Sequence, residues 1–375
     1  MDGHQPTYPA KKDLTGRCLL LRADGGTTIG GGHLMRCSAL AREWTAWNGR
    51  AVFLVHCDNA GLYDRIASSG IECISLEHAH PHPDDLISTL ETLDTLMKKR
   101  PRSNPAWVVL DGYHFDPRYQ SALRSACRNL LIIDDTAHHS RYHARLLLNQ
   151  NPGSGKLTYR RHPDTQLLAG PSYALLRPEF AVWREWTRTV SPQGRKLLVT
   201  LGFGEDHGVT ASVLHAIEGI KLSDFEIRVV VGAANPRFRE ILEAAERWKP
   251  NLEVLTNVAD MATLMAWADV AVSAAGSTCW ELAYMGLPCV VVTLADNQAG
   301  IAKALEASGC GLDAGGRGRG EGLNPDLNGM LTGLLLDPSR RAAMSAAGRV
   351  LVDGHGAARV VEVMARLSDD PEKEI

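Results

Sequence analysis

The first half of the chain alternates short apolar runs with segments in which apolar residues recur every three or four positions. Continuous apolar runs are typical of buried parallel strands, and three-to-four spacing is typical of amphipathic helices. The predicted strands are 18–24, 51–56, 71–76, 107–113, 130–135 and 144–151, and the predicted helices are 33–48, 59–70 and 84–100. This alternation predicts parallel βαβ units.

A second alternation follows a stretch of different composition. Residues 152–186 are rich in Gly, Pro and basic residues and are interpreted as a crossing linker. The later predicted elements are strands at 196–202, 227–232, 252–256, 270–276 and 289–295, a glycine-rich loop at 315–322, and helices at about 325–352 (with a break) and 355–368. The predicted fold class is α/β, with two doubly wound, Rossmann-like halves facing across a cleft.

The predicted domains follow from this organisation. Residues 1–16 form a flexible polar tail, residues 17–180 an N-terminal Rossmann-like domain, and residues 181–375 a C-terminal one. The final helix is free to pack back on the N-terminal domain. A length of 375 residues with 45% apolar composition is enough for two such cores.

Charge and cysteine usage narrow the functional classes. A net charge of -3 gives no general affinity for nucleic acid or anionic membranes. The sequence contains no run of eighteen apolar residues, so no transmembrane helix is predicted. The N-terminus lacks the apolar core of a signal peptide. The eight cysteines form no C-x-x-C pair, which favours reduced thiols and a cytoplasmic location.

A glycine-rich turn, RADGGTTIGGGHLMRC (22–37), joins the first strand to the first helix. Such a turn lets backbone N–H groups approach an anion at a helix N-terminus. The alternative is a tight turn in which glycine only relieves steric strain. His33 follows the glycines in the first helical turn, where the dipole disfavours imidazolium. A neutral histidine there can accept a proton from water, or it merely caps the turn.

The segment SAAGSTCWELAYMGLP (273–288) is a second strand–turn–helix. The small residues Ala274 to Thr278, among them Gly276, Ser277 and Thr278, bring N–H groups and two hydroxyls to a helix start, which suits a diphosphate. Glu281, one turn later, can bridge the hydroxyls of a ribose. The alternatives are helix capping for the hydroxyls and a favourable dipole interaction for Glu281.

Two further polar clusters follow predicted strands. In LADNQ (294–298), Asn297 and Gln298 suit sugar hydroxyls or amides, or form a polar turn. In IIDDTAHH (132–139), four side chains are of metal-ligating type, but their spacing matches no firm ligand pattern, so no metal is expected. The alternating histidines of HAHPH (78–82) are interpreted as solvated surface.

At these residues the sequence resembles a known family. The first turn is similar to the R-A-D…G-x-G-H-x-x-R start of the UDP-2,4-diacetamido-2,4,6-trideoxy-β-L-altropyranose hydrolases of pseudaminic acid biosynthesis. Further segments that resemble the family are LLIIDD, AGPSYALLRPEF, SAAGSTCWELAYMGLP, ADNQ and DGHGAARVV. The resemblance covers about residues 17 to 365.

The resemblance implies a fold, a reaction and a set of site residues. The fold is similar to that of GT-B glycosyltransferases. The reaction is attack of water on the anomeric carbon with departure of UDP, with no metal and no cofactor, and its product serves nonulosonic acid and surface-glycan biosynthesis. The implied catalytic residues are His33 as the base, Tyr113 and Asn297. The implied substrate-binding residues are Arg22, Asp24, Gly32, Arg36, Asp135, Gly276, Ser277, Thr278, Glu281 and Gln298.

One segment departs from the family. After the first strand of the second half the family has G-G-S-D-P, whereas this chain has LGFGEDHG (201–208). Phe203 replaces a glycine where backbone would approach phosphate, and Glu205 adds a negative charge. The same hydrolytic chemistry on a different UDP-linked amino sugar therefore stays open.

Two other function classes stay open. One is a GT-B glycosyltransferase with the same donor and a separate acceptor. The other is a non-enzymatic UDP-sugar-binding regulator, against which the joint presence of His33, Tyr113 and Asn297 argues. The expected partners are a UDP-sugar and UDP, without nucleic acid or membrane, and the expected state is a monomer or weak oligomer.

Overall fold

The computed structural model describes residues 11–26, 29–98, 106–202, 206–232, 235–248, 251–316 and 322–369. Contacts divide the chain into two compact units. The first contains the residues up to Pro178 together with those from Gly354 onward, and the second is Glu179–Asp353. The residues after Gly354 thus lie with the first unit, although they follow the second in sequence. No helix among the described residues is long and apolar enough to cross a membrane.

The first unit is built on a seven-stranded parallel sheet. Its strands are β1 (Cys18–Ala23), β2 (Arg50–Val55), β3 (Glu72–Ser75), β4 (Ala106–Asp111), β5 (Leu130–Ile133), β6 (Leu146–Asn149) and β7 (Gln166–Ala169). Its first helices are α1 (Gly32–Ala46), α2 (Ala60–Ala67), α3 (Pro83–Lys98) and α4 (Pro117–Ala126). The strand order is β3-β2-β1-β4-β5-β6-β7, and every pairing is parallel.

The second unit repeats this topology with six strands. They are β8 (Lys196–Thr200), β9 (Glu226–Val231), β10 (Leu252–Thr256), β11 (Val270–Ala274), β12 (Cys289–Val292) and β13 (Gly311–Asp313). Its helices are α5 (Val209–Ala216), α6 (Phe238–Glu246), α7 (Met261–Trp267), α8 (Thr278–Tyr284), α9 (Ala299–Ala307), α10 (Leu327–Leu336) and α11 (Pro338–Leu351). The order β10-β9-β8-β11-β12-β13 matches that of the first six strands of the first unit. Two doubly wound sheets are therefore confirmed.

The centre of the first sheet explains where polar groups gather. β1 (CLLLRA) is buried at every position, as expected of a central strand covered on both faces. In the register of β1 with β4, Ala23 pairs with Asp111, so both strands end at the same level. In open α/β sheets ligands bind beyond the carboxyl ends of the strands. The α1 N-terminus and the residues after β4 therefore share one edge of the sheet.

The last helix, α12 (Gly356–Asp369), packs in the first unit beside α1. Trp107 Nε1 donates to Ser368 Oγ at 2.8 Å, and Arg359 Nη1 donates to the Ser172 carbonyl at 2.8 Å. A Cβ on Gly356 would lie 2.1 Å from the Ala174 carbonyl oxygen. Glycine at this position lets the start of the helix touch the 171–174 turn.

The interpretation of residues 152–186 as a linker is wrong. The segment contains β7, which extends the first sheet beside β6, and three short 3₁₀ helices, Ser154–Lys156, Pro171–Tyr173 and Pro178–Trp183. β7 has four residues at the sheet edge and only one of them is fully buried, so its apolar signal is weak.

The predicted flexible tail also needs correction in its last part. Leu14 is fully buried and its N–H donates to the Trp47 carbonyl at 2.7 Å. Lys12 pairs with Asp369 of α12 at 3.0 Å. Residues 11–16 are therefore docked on the first unit by one buried apolar side chain and by polar contacts. Residues 1–10 lie outside the described part of the chain, as do 317–321 of the predicted glycine-rich loop.

Candidate active site

The turn before α1 needs glycine for two physical reasons. Gly30 has a φ of +79°, in the left-handed region that side chains disfavour. A Cβ on Gly25 would lie 2.5 Å from a methyl group of Leu34. Relief of steric strain thus explains these two glycines. The consequence for the site is that α1 begins tightly against the end of β1, with Gly32 as its first residue and His33 in its first turn.

His33 is paired with a carboxylate that ends β4. Its Nδ1 lies 2.7 Å from Oδ1 of Asp111, whose side chain is fully buried. Because a carboxylate accepts hydrogen bonds, this contact places the imidazole proton on Nδ1 and leaves Nε2 as the acceptor. No described residue is seen to hydrogen-bond to Nε2, and the side chain is 12% exposed. The Nδ1 side of His33 is therefore fixed against Asp111, and Nε2 lies on the opposite side of the ring.

Arg36, one turn along α1, neutralises the buried carboxylate. Its Nε donates to Asp111 Oδ2 and its Nη2 to Asp111 Oδ1, both at 2.6 Å. Burial disfavours the ionised carboxylate, but the charge of Arg36 and the hydrogen bonds from Arg36 and His33 outweigh it, so the pKa of Asp111 lies well below its ordinary value. Asp111 thus stays an anion and a hydrogen-bond acceptor for His33.

A second carboxylate extends the network toward solvent. Asp135, two residues after β5, accepts hydrogen bonds at Oδ2 from Arg36 Nη1 and from the Tyr113 hydroxyl, both at 2.8 Å. Asn151 Nδ2 donates to its Oδ1 at 3.0 Å. Partial burial and the charge of Asp135 raise the pKa of Tyr113 well above its ordinary value, so its hydroxyl stays protonated. The Tyr113 ring also meets His33 edge-on, with ring centroids 5.3 Å apart.

Four predicted site residues, His33, Arg36, Tyr113 and Asp135, are thus gathered at one edge of the first sheet. Sequence reasoning missed Asp111, which holds His33 in place. The available signal was that the apolar run WVVL ends in an acid, but the sequence does not show that this strand lies beside the first one. Asn151 was also missed, since an amide in a Gly- and Pro-rich stretch carries no distinctive pattern.

Arg22 and Asp24, for which the resemblance implies substrate contacts, lie inside the first unit. Arg22 is fully buried between two carboxylates: it is ion-paired with Asp24, and its Nη2 lies 2.7 Å from Asp85 Oδ2 on α3. Asp24 also accepts from the His56 N–H at 3.0 Å and is 1% exposed. These charges are satisfied inside the unit, and the pair ties α3 to the end of β1.

The histidines of HAHPH do not all lie at the surface. His78 is exposed, but His80 Nδ1 lies 2.9 Å from Asp85 Oδ2 and its ring stacks on His114 with centroids 5.1 Å apart. The prediction of solvated surface is therefore wrong for His80. The carboxylate that His80 contacts, Asp85, belongs to α3, which follows this loop.

In the second unit, the predicted diphosphate turn lies at the N-terminus of α8. Ser277 is exposed and its side chain makes no capping hydrogen bond, so the capping alternative lacks its contact there. A Cβ on Gly276 would meet nothing within 4 Å, which leaves open space before the helix. The first N–H groups of a helix have no intrahelical acceptor and suit an anion. Thr278 is half-buried, and Glu281 is buried, 5% exposed, in the first helical turn.

The ADNQ segment forms a 3₁₀ helix, Asp296–Gln298, shortly after β12. β11 and β12 are neighbours, with Ala274 paired to Val292, so this helix and the turn before α8 follow adjacent strands. Asn297 is exposed, whereas Gln298 Oε1 accepts from the Leu294 N–H at 2.9 Å and shapes its own turn. Phe203 and Glu205, which depart from the family pattern, lie outside the described residues.

Comparison with known sequences points to polysaccharide and sugar enzymes. Residues 207–324 match the glycosyltransferase family 28 C-terminal domain. The chain is 32% identical over 215 residues to the spore coat polysaccharide biosynthesis protein SpsG of Bacillus subtilis, an alignment that covers 56% of this chain and 61% of that protein. It is 22% identical over 205 residues to the pseudaminic acid cytidylyltransferase and UDP-2,4-diacetamido-2,4,6-trideoxy-beta-L-altropyranose hydrolase of Helicobacter pylori, covering 54% of this chain and 37% of that protein. The chain thus spans less than two thirds of the length of either relative.

Comparison with solved structures decides the fold. The structure superposes on MurG of Acinetobacter baumannii with a TM-score of 0.63 at 16% identity, covering 93% of this chain and 99% of that one. It superposes on Phytolacca americana UGT2 with the same TM-score of 0.63 at 12% identity, covering 94% of this chain and 100% of that one. The chain has the GT-B fold. Together with the family match, a GT-B fold supports an enzyme related to those that act on nucleotide sugars.

Proposed function

We propose that the protein hydrolyses a UDP-linked amino-deoxy sugar to the free sugar and UDP, with His33 as the general base. The observation that carries the proposal is the pairing of His33 Nδ1 with buried Asp111, which leaves Nε2 as a proton acceptor. The proposed substrate is UDP-2,4-diacetamido-2,4,6-trideoxy-β-L-altropyranose, the sugar nucleotide in the name of the Helicobacter pylori relative. The same chemistry on another UDP-linked amino sugar is the nearest variant.

The proposed step is a displacement by water at the anomeric carbon. Water attacks C1 of the sugar while His33 Nε2 removes one of its protons, and the bond from C1 to the phosphate oxygen breaks with its electrons. The products are the free sugar and UDP. Asp111 holds the Nδ1 proton in place and stabilises the imidazolium that forms, as a buried carboxylate does in other histidine-dependent hydrolases.

We assign nucleotide binding to the second unit. The leaving diphosphate gains negative charge, and N–H groups at the α8 N-terminus, with Gly276, Ser277 and Thr278, are suited to stabilise that charge without a cation. Glu281 is assigned to the ribose hydroxyls. Tyr113 and Asn297 are assigned to the sugar, since both are exposed polar groups at strand ends.

The alternative is a GT-B glycosyltransferase that uses the same donor with a sugar or lipid acceptor. The observation that favours it is the match to a glycosyltransferase domain over residues 207–324. In that reaction His33 would remove a proton from an acceptor hydroxyl instead of from water. The two reactions differ in whether UDP appears when no acceptor is present.

The deciding experiment measures UDP release from a panel of UDP-linked amino sugars, in EDTA and without acceptor. Release from the 2,4-diacetamido-altrose donor is expected and would also show that the reaction needs no divalent cation. Release only from another UDP-sugar would keep the mechanism and change the substrate. Tight UDP binding with no release from any donor would contradict hydrolysis and favour the transferase, or the non-catalytic regulator if no acceptor restores turnover.

A further inference from the structure

Three side chains of metal-ligating type, which the proposed reaction does not use, gather in the loop after β5. One donor atom each of Asp134, His138 and His139 lies within 4.8 Å of the other two. The sequence spacing gave no such indication, because adjacent histidines in extended backbone point in opposite directions. Here Ala137 has a φ of +55°, and the two imidazole rings lie side by side with centroids 3.8 Å apart. The backbone of the loop therefore creates the cluster.

The ring of His138 is held in one orientation. Its Nε2 lies 3.0 Å from the Tyr113 carbonyl oxygen, which can only accept, so the proton is on Nε2. Nδ1 then carries the lone pair, and it lies 3.2 Å from Asp134 Oδ2 and 2.8 Å from Thr136 Oγ1. Histidines that bind metals almost always donate their other N–H to a carbonyl or carboxylate in this way.

The carboxylate opposite is equally well fixed. Asp134 is 3% exposed, and its Oδ1 accepts from the N–H groups of Thr136 and Ala137 at 3.0 and 2.6 Å. The Tyr142 hydroxyl donates to Oδ2 at 2.9 Å. These contacts orient Oδ2 toward His138 before any ligand arrives. An oxygen ligand held by such neighbours loses little conformational entropy on binding a cation.

The separation of two of the three donor atoms matches a tetrahedral ion. Zinc binds imidazole nitrogen and carboxylate oxygen at about 2.0–2.2 Å, which sets two ligands of a tetrahedron roughly 3.4 Å apart. The 3.2 Å between His138 Nδ1 and Asp134 Oδ2 is close to this value. The third donor atom, on His139, needs to approach by no more than about 1.5 Å, which rotation of a half-buried imidazole can supply.

We propose that Asp134, His138 and His139 form a binding site for one divalent ion of the zinc class, with water as the fourth ligand. Two imidazoles and one carboxylate favour zinc and its neighbours over magnesium or calcium, which prefer all-oxygen ligands. None of the three ligands has a role in the proposed reaction, but His138 contacts the backbone of Tyr113, so the two sites are neighbours. The role of the metal site is to stabilise the 134–142 loop against the backbone of Tyr113.

The test is direct metal binding by the full chain, free of affinity tag and stripped with a chelator. Cobalt(II) should bind with one ion per chain and give the visible spectrum of a tetrahedral site, and zinc should displace it. His138→Ala and His139→Ala should each weaken zinc binding by at least about tenfold. Zinc should raise the melting temperature of the wild type but not of these variants.

A matched control is the double variant of His78 and His82 to alanine. Their rings are also close, with centroids 4.2 Å apart, in another loop of the same unit. This control should bind zinc as the wild type does. If cobalt gives no tetrahedral spectrum, or if the control loses binding while His138→Ala keeps it, the site does not exist. Should His138→Ala fail to fold by circular dichroism, His138→Asn is the substitute, and the wild-type spectrum decides independently.

Discussion

The two ring nitrogens of His33 have different surroundings. Asp111 fixes the proton on Nδ1 and Arg36 keeps Asp111 ionised, which leaves Nε2 as the nitrogen that we propose acts as the base. Arg36 also reaches Asp135, so that one guanidinium links the two carboxylates at this end of the sheet. A single substitution at His33 leaves the Arg36–Asp111 pair intact.

We therefore expect His33→Ala to abolish turnover without loss of UDP binding. Removal of a general base typically costs ~10²–10⁴-fold in rate. UDP release under substrate saturation measures the rate, and calorimetry measures UDP affinity. His78→Ala, which removes an exposed histidine of the same unit, is the control and should behave as the wild type. Unchanged turnover in His33→Ala would show that another group is the base.

Substitution of Glu281 should weaken UDP binding and leave the rate nearly unchanged, the reverse of the effect expected at His33. We predict that Glu281→Gln, which keeps the shape of this buried side chain, weakens UDP binding by about tenfold, the effect of losing one charged hydrogen bond of ~1.5 kcal/mol. The saturated rate should change little. Calorimetric titration with UDP and with uracil separates loss of the ribose contact from general damage, which would weaken both. Intact UDP affinity with a reduced rate would reverse the roles assigned to the two units.

At the scale of elements, the first unit depends on a helix that comes from the far end of the chain. α12 lies beside α1, and its first residue, Gly356, touches the backbone of the 171–174 turn. A methyl group there has no space, since its nearest neighbours are backbone atoms at 2.1 and 2.6 Å. The contact therefore fixes where α12 begins.

We expect Gly356→Ala to lower the free energy of unfolding of the first unit by about 1–3 kcal/mol, the usual cost of overpacking. Gly61→Ala is the matched control, because Gly61 also lies in the first turn of a helix but a Cβ there would meet only one atom, at 3.6 Å. Chemical denaturation followed by circular dichroism compares the two. Equal stability of both variants would mean that α12 is free to shift at no cost.

At the scale of the whole molecule, buried ion pairs make the first unit sensitive to acid. Asp85 and Asp111 are buried, and burial alone would disfavour their charge. The pKa of Asp85 nevertheless lies well below its ordinary value because His80 and Arg22 contact it. The pKa of Asp111 lies well below its ordinary value because Arg36 and His33 contact it. A depressed pKa in the folded state adds stability above the unfolded pKa, about 3.9 for aspartate, and that stability is lost as the pH falls toward the folded value.

The expected result is that the first unit loses stability steeply below about pH 4. Hydrogen exchange of the β1 and β4 amides, corrected for the intrinsic rate at each pH, should show protection falling between about pH 4 and pH 2. The same amides at pH 7 provide the reference. Constant protection down to pH 2 would mean that these carboxylates have the same pKa folded and unfolded.

The sequence by itself determined the two parallel sheets and most of their elements. Buried strands need continuous apolar runs and their helices need three-to-four spacing, and both requirements are local, so they are written in order along the chain. The strands and helices predicted up to residue 151 are confirmed within a few residues. The turn before α1 was also visible, since glycine is required by local backbone geometry.

Only the tertiary structure decided which polar groups meet. Asp111 reaches His33 because β4 pairs with β1, and Asp85 of α3 pairs with Arg22 of β1. β7 and the docking of Leu14 depend on surfaces made by distant segments. The physical reason differs between these features. The ion pairs and the edge strand are held by contacts between residues far apart in sequence. The 134–139 cluster is created by a single backbone conformation. Neither leaves a periodic pattern along the chain.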